Sequence, residues 1–375
     1  MRAVKLRVWQ ALVGRVTLYL LDANDPLNSP ADRGITGKLY EAGTEIRLLQ
    51  EIVVGVGGWR MVEVLAPEVE ICHMNEGHAA FAVLERARAY MRRSGLSFWE
   101  ALWATRPGNL FTTHTPVAAG FDRFPPDLLA KYARYLESFL AEAGVEMGEV
   151  LALGRSRPDD DEPFNMAYLA MRGSLATFGV SRLHGGVSRR IFQPLFPRWP
   201  EIEVPVGHVT NGVHVPSWDS PAADDLWTAA CGKERWRGMP DALLALVSSI
   251  SDEQLWTMAS EDRQVLIEKV RMRLVRQLAS RGHPHEALGE AANVLDPNAL
   301  MLGFARRFTG YKRPNLLLRD PARLARLLND PVQPVQLVLA GKAHPADVEG
   351  KRMIRDWIEI AQQPEFRRRV VFLED

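Results

Sequence analysis

Residues 300–340 read LMLGFARRFTGYKRPNLLLRDPARLARLLNDPVQPVQLVLA. The apolar run Leu300–Ala305 leads into Arg306, Arg307, Lys312 and Arg313. The spacing then predicts a helix over Asn315–Leu328 and a second strand over Val335–Ala340. A further helix over Asp347–Gln362 and a third strand over Val370–Leu373 complete a β-α-β-α-β order. Strands joined by helical crossovers run parallel, with right-handed connections. Open sheets of this kind hold ligands at the carboxyl ends of their strands. The four cations sit at such an end and enter a helix. Arginine offers a planar fork to phosphate oxygens and lysine a point charge, so the turn suits phosphate. A solvated basic turn is the alternative on pattern alone. No G-x-x-x-x-G-K-[ST] is present, so the turn is not a P-loop. Gly341-Lys342-Ala343-His344-Pro345 repeats the logic more weakly after the second strand. Arg367-Arg368-Arg369 precedes its strand and reads as a solvated face.

Upstream of this block the texture changes near residues 212–222, where a domain boundary is expected. That gives domains over 1–215 and 216–375. Val8–Asp22 alternates around Gly14 and predicts a strand pair. Residues 24–37 (NDPLNSPADRGITG) predict an irregular loop. A helix over Glu45–Val54 is expected to stop at Gly55-Val56-Gly57-Gly58, where only glycine turns freely. Glu70–His73 reads as a strand, and Met74–Arg93 as a helix with Asn75 as its cap. Leu110–Thr113 is another strand. Helices follow at Asp127–Glu142 and Asn165–Thr177, with another starting at Gly185–Phe192; Arg155–Pro163 is a charged loop. Ala222–Gln277 is helical throughout. The last residues, Phe372–Asp375, fall where a site loop and further strands are expected, so the chain reads as a fragment of a longer sheet.

Composition narrows the function. The chain has 375 residues, with 46 Lys+Arg against 46 Asp+Glu, so it lacks the basic excess of a nucleic-acid binder. No apolar run approaches the roughly 18–20 residues that span a bilayer. Met1–Arg7 lacks the apolar core of a secretory signal. Two cysteines, Cys72 and Cys231, build no disulfide framework, and a reduced, cytoplasmic compartment is the expectation.

Four polar constellations accompany the basic turn. His73-Met74-Asn75-Glu76-Gly77-His78 sits at a strand-to-helix turn. Its spacing does not match the H-E-x-x-H arrangement of metal ligands, so no metal is expected. Such side chains can grip sugar hydroxyls, or can belong to a capped helix with buried histidines. Thr112–Val117 places His114 at a corner stiffened by Pro116. Val180–Ser188 opens a helix with small residues, a place for an anion or for hydroxyls. Thr210–Trp218 lies at the domain boundary, where ligands commonly bind, although Asn211-Gly212 also reads as a plain turn.

Taken in order, the segments resemble the α-glucan phosphorylases: glycogen, maltodextrin and starch phosphorylases. The marks are EIVVGVGGWR (51–60), HMNEGHAAF (73–81), TTHTPVAAGFDRFP (112–125) and FNMAYLAMRGSLATFGVSRLHGGVSR (164–189). They continue with TNGVHVPSW (210–218), GFARRFTGYKRPNLLL (303–318), LAGKAHPAD (339–347) and VVFLED (370–375). The form is the bacterial branch with H-x-N-E-G-H. The resemblance implies an α/β fold of the two-domain glycosyltransferase B architecture, with Rossmann-like parallel sheets and both domains incomplete here. It implies phosphorolysis of terminal α-1,4-linked glucose to glucose 1-phosphate. It also implies pyridoxal 5'-phosphate, held by a lysine that would lie beyond Asp375. Arg307 and Lys312 match phosphate-binding positions, and Arg306 one near the cofactor. Trp218 matches a tryptophan packed by the cofactor. Asn211, His114, Glu76 and His78 match positions on the glucosyl side, the last two as an acid–histidine pair. The implied partners are α-1,4-glucan and inorganic phosphate, with a homo-oligomer compatible with the full-length protein; neither nucleic acid nor membrane is expected. Without its lysine the chain alone is expected to be inactive. A noncatalytic glucan-binding or regulatory remnant is the alternative, as is a sugar-nucleotide glycosyltransferase.

Overall fold

The computed structural model describes residues 3–38, 43–157, 161–237, 240–345 and 347–374, without the side chains of 119, 133–139 and 240. Residues 158–160 of the expected charged loop, and Asp375, lie outside the described residues. The chain divides into two compact units, Met1–Gly212 and Val213–Asp375.

The first unit opens with the expected hairpin, β1 (Arg7–Val13) and β2 (Val16–Asp22), antiparallel with Val13 opposite Val16. Gly14 takes a φ of +60°, as a two-residue hairpin turn requires. The loop that follows contains one short helix, Pro30–Arg33, capped by the Ser29 side chain.

The next helix departs from expectation. Thr44–Ile52 does not stop at the glycines: it passes through a π-turn, Val53–Gly57, into a helix over Gly58–Leu65. The reason is packing. A Cβ on Gly55 would sit 2.7 Å from Phe81 Cβ and 2.9 Å from the Ala82 nitrogen. Glycine here lets two helices touch and is not needed for a left-handed turn.

The central sheet holds β3 (Cys72–Asn75), β4 (Asn109–Thr113), β7 (Ala176–Gly179) and β8 (Val206–His208), in the order β3-β4-β7-β8. All its pairings are parallel. A small antiparallel pair, β5 (Arg123–Phe124) with β6 (Phe164–Asn165), lies outside it. Asn75 ends β3 and caps nothing; helix Phe81–Ser94 begins only after a short turn, Gly77–Ala79. The helix predicted over Asn165–Thr177 covers only Met166–Arg172, and β7 takes its last two residues, Ala176 and Thr177. Four- and three-residue strands such as β7 and β8 are too short to show a period. Helix Phe98–Thr105 was also unforeseen, although Ser97 and Glu100 form a reciprocal capping box at its start. Phe98, Phe111, Phe124, Phe164 and Phe192 are fully buried in this core, each worth about 1.5–3 kcal/mol of transfer energy.

The second unit carries β9 (Leu300–Ala305), β10 (Val335–Ala340) and β11 (Val370–Leu373) where the sequence places them. All pair in parallel, in the order β11-β10-β9. Helices Pro321–Leu328 and Val348–Ala361 start on the side-chain caps Asp320 and Asp347. The expected start at Asn315 moves to Pro321, because the Asp320 cap and Pro321 at the first helical position fix it there. One sheet face packs Leu337 and Leu339 with Phe308, Trp357, Phe366 and Phe372. The other packs Val338 and Val371 with Ile267 and Val270 of the 29-residue helix Asp252–Ser280. Coverage of both faces is what a parallel sheet requires. Among the described residues β9 pairs only with β10. Its Leu300 and Leu302 are 57% and 46% exposed, whereas Val370, Val371 and Phe372 of β11 are buried. Both β9 and β11 are edge strands among the described residues, and the exposed apolar side chains lie on β9.

Candidate functional site

In the first unit, β3, β4, β7 and β8 deliver their carboxyl ends side by side. Asn75 lies opposite Thr112, Thr113 opposite Gly179, and Gly179 opposite His208. The turns that follow are bound to one another by side chains. Glu76 adopts a φ of +62°, a conformation costing a non-glycine residue about 1–3 kcal/mol. Its amide donates to Thr112 O at 2.8 Å. Its Oε1 accepts from the His114 amide and, at 3.4 Å, from the Thr113 hydroxyl. The His114 ring reaches Asn75 Oδ1 at 3.4 Å. The strained Glu76 thus fixes the corner that carries His114.

The Val180–Ser188 segment is a brace. Ser181 Oγ accepts from the His184 amide, and His184 Nδ1 accepts from the Val180 amide, both at 3.1 Å. The neutral ring therefore carries its proton on Nε2, which donates to Thr115 O at 3.1 Å. A Cβ on Gly179 would lie 2.8 Å from the Gly185 nitrogen, so the strand end presses against the helix. The Asn211 amide donates to Val180 O at 3.3 Å, and its exposed side chain follows β8.

His78 does not pair with Glu76. Its Nδ1 lies 3.0 Å from Asp122 Oδ2, 3.6 Å from Glu51 Oε1 and 2.6 Å from Arg47 Nη2. Arg47 Nε is 3.0 Å from Glu51 Oε1, and Arg47 Nη2 is 3.0 Å from Asp122 Oδ2. Burial pushes the Glu51 carboxyl up to about 7. Burial alone would lower the His78 imidazole, but the neighbouring Asp122 and Glu51 carboxylates outweigh it and raise the ring to about 9. Asp122 is held well below the carboxylate range: burial would raise it, and its hydrogen bonds to His78 and Arg47 prevail. Glu51, His78 and Asp122 offer ligand atoms within 4.8 Å of one another. The Arg47 guanidinium already stands among them as the cation. Arg47 and Glu51 are four apart on one helix, the only sequence hint of this set; Asp122 gave none.

In the second unit the basic turn leaves β9 and folds into a short turn, Gly310–Lys312, with Arg313 at a φ of +52°. The Arg306 amide donates to Ala340 O at 3.2 Å, and the Phe308 amide to Lys342 O at 2.9 Å. The turns after β9 and β10 are thereby joined, and Gly341 has no room for a Cβ against Arg306 O. The Lys312 ammonium is pushed down by burial, then by the charges of Arg306 and Arg307. Three cations therefore share one field. In the same turn Thr309 Oγ1 is buried without a hydrogen-bond partner, and clustered cations are groups that suit a phosphate. Trp218 ends a short helix, Val215–Trp218, and is 79% exposed.

Parallel sheets whose strand ends carry paired polar groups in one unit, and clustered cations in the other, place the chain among α/β proteins with candidate ligand sites at strand ends. The family described as "Carbohydrate phosphorylase" matches residues 49–371. The chain belongs to that family. It is 41% identical over 379 residues to a glycogen phosphorylase of Mycobacterium bovis, covering 99% of this chain and 43% of that protein. It is 39% identical over 376 residues to a maltodextrin phosphorylase of Thermococcus litoralis, covering 100% of this chain and 43% of that protein. A glycogen phosphorylase of Aquifex aeolicus is 35% identical, with 98% and 52% covered. The chain thus spans about half the length of these relatives or less. Among the described residues no helix is long and apolar enough to cross a membrane, and Cys72 and Cys231 are free thiols.

Proposed function

We propose that the chain supplies the glucosyl-side and phosphate-side elements of an α-1,4-glucan phosphorylase with the two-domain glycosyltransferase B architecture. The reaction releases terminal glucose as glucose 1-phosphate. The observation that carries the reading is the shared field of Arg306, Arg307 and Lys312 in the turn after β9, a turn that also holds the buried, unpartnered Thr309 hydroxyl.

Phosphorolysis needs an acid at the glycosidic oxygen and a nucleophile at the anomeric carbon. Inorganic phosphate is both, so the protein needs no pair of catalytic carboxylates. What it must do is hold a dianion close to the developing glucosyl cation. Arg307 and Lys312 hold the phosphate, and Arg306 extends the positive field. On the sugar side, Asn211 and His114 bind the glucosyl hydroxyls, with Glu76 fixing His114 through its amide. His78 joins them as a cation held in place by its carboxylates.

Arg306, Arg307, Lys312 and Thr309 also fit the phosphate of pyridoxal phosphate, with Trp218 beside the ring. When bound, that group supplies a second phosphate that exchanges a proton with the first. Its lysine is expected outside this chain, which would make the chain inactive by itself. The test is phosphorolysis of maltodextrin by a polypeptide extended to the relatives' full length. Phosphate-dependent release of glucose 1-phosphate supports the reading; glucan binding without release, or transfer from a sugar nucleotide, contradicts it.

A further inference from the structure

The His78 cluster joins three segments that are distant in sequence. Arg47 and Glu51 come from helix Thr44–Ile52, His78 from the turn after β3, and Asp122 from the loop after β4. Two of these segments also share a seat. Asp122 O accepts from the Met166 amide at 3.1 Å. A Cβ on Gly77 would lie 3.0 Å from the Ala167 nitrogen. Both therefore rest on the first turn of helix Met166–Arg172. Glu51 is 1% exposed, and neither carboxylate oxygen has a well-formed hydrogen bond. A buried carboxyl so poorly satisfied is costly and calls for an explanation.

We propose that Arg47, Glu51 and Asp122 are positioning residues that lock the His78 ring, and through it the strained Glu76 turn, against the loop that carries His114. Glu76 stands two residues before His78, and its backbone conformation persists only where the surroundings over-determine it. The Thr112 carbonyl holds one side of that turn, and the charged cluster holds the other. The groups facing the ring are Arg47 and Glu51 from the helix and Asp122 from the loop. With the ring protonated, two cations face two carboxylates. With it neutral, the buried set carries an excess negative charge, which the ring's own proton otherwise relieves. The ring and the Glu51 carboxyl therefore titrate as one unit. This deepens the glucan-side reading by naming what aligns its histidine.

The test uses this chain as it stands, by ring and amide NMR of His78, with Asp122→Asn and Glu51→Gln. The wild-type ring should titrate about two pH units or more above an ordinary histidine, and Asp122→Asn should lower the midpoint by about 1–3 pH units. Exchange of the Gly77 and His114 amides should quicken roughly tenfold, with amides of β10 unchanged. Glu51→Gln keeps the shape, should lower the midpoint less, and carries the test if Asp122→Asn does not fold. A wild-type midpoint near 6.5, or one that neither variant moves, overturns the proposal. Neither readout requires glucan. Loss of maltodextrin binding in every form, with these shifts present, would therefore remove the sugar-site reading and leave the positioning set intact.

Discussion

The two units solve opposite electrostatic problems. At the strand ends of the first, Arg47 and His78 face Glu51 and Asp122, and the Glu76 carboxylate accepts from the His114 amide. At the end of β9 in the second, like charges are held together, and the cost shows in the lowered Lys312 ammonium. A neutral sugar is best met by groups already paired and immobile, since binding then leaves no charge stranded. A phosphate dianion is best met by cations that oppose one another until it arrives. The difference is what the proposed division of sugar and phosphate between the two units rests on.

The contrast breaks most severely at Arg307. In a polypeptide of the relatives' length, Arg307→Ala should cost phosphate use about 10- to 150-fold, the worth of a charge-assisted contact at about 1.5–3 kcal/mol. Arg307→Lys should recover little of it, because an ammonium lacks the two-pronged fork. The measurement is glucose 1-phosphate release with phosphate varied at fixed maltodextrin. Asn211→Ala should instead lower turnover while the apparent phosphate affinity moves less.

The first unit depends on close packing as well as charge. Gly55→Ala would push a Cβ against the backbone of Phe81 and Ala82. Overpacking of that kind costs about 1–3 kcal/mol, read as a lower midpoint in thermal or denaturant unfolding. Gly303→Ala in β9 meets open space and should leave the midpoint nearly unchanged.

A smaller effect follows from pH. The folded Glu51 carboxyl and His78 imidazole both sit above their ordinary values, at about 7 and about 9. Protonation therefore favours the fold, and stability should be lost as pH rises from about 4.5 through about 9. Asp122 is depressed, so its contribution is present above about 3.8 and lost below it. First-unit amide exchange should be slower at pH 5 than at pH 9 after correction for intrinsic rates. Glu51→Gln should flatten the part between pH 5 and 7.

Much of this contrast was legible in the sequence, for physical reasons that differ by region. β9, β10 and β11 are apolar runs between amphipathic helices, and burial on both faces writes them plainly into the chain. The basic turn at Arg306–Lys312 is legible as a candidate from its position, because ligands bind at strand ends in such sheets, although a solvated turn reads the same in sequence. The GVGG segment misled because glycine serves two purposes. Its conformational freedom is visible in sequence, but its lack of a side chain at the Phe81 contact is a tertiary fact. β7 and β8 are too short for a period. The Glu76–His78 pair came from the family resemblance; in the fold Glu76 turns to the His114 amide and His78 to Asp122. The partners of His78 lie 27, 31 and 44 residues away, where no local pattern reaches.

The central claim is that the β9 turn is the phosphate seat and the His78 cluster is not. Titration of this chain with inorganic phosphate, followed by arginine and histidine side-chain NMR, tests it directly. Saturable shifts should appear at Arg306 and Arg307, be lost in Arg307→Ala, and survive in Asp122→Asn. Saturable shifts at His78 with none at Arg307, or phosphate binding unchanged in Arg307→Ala, would contradict the account.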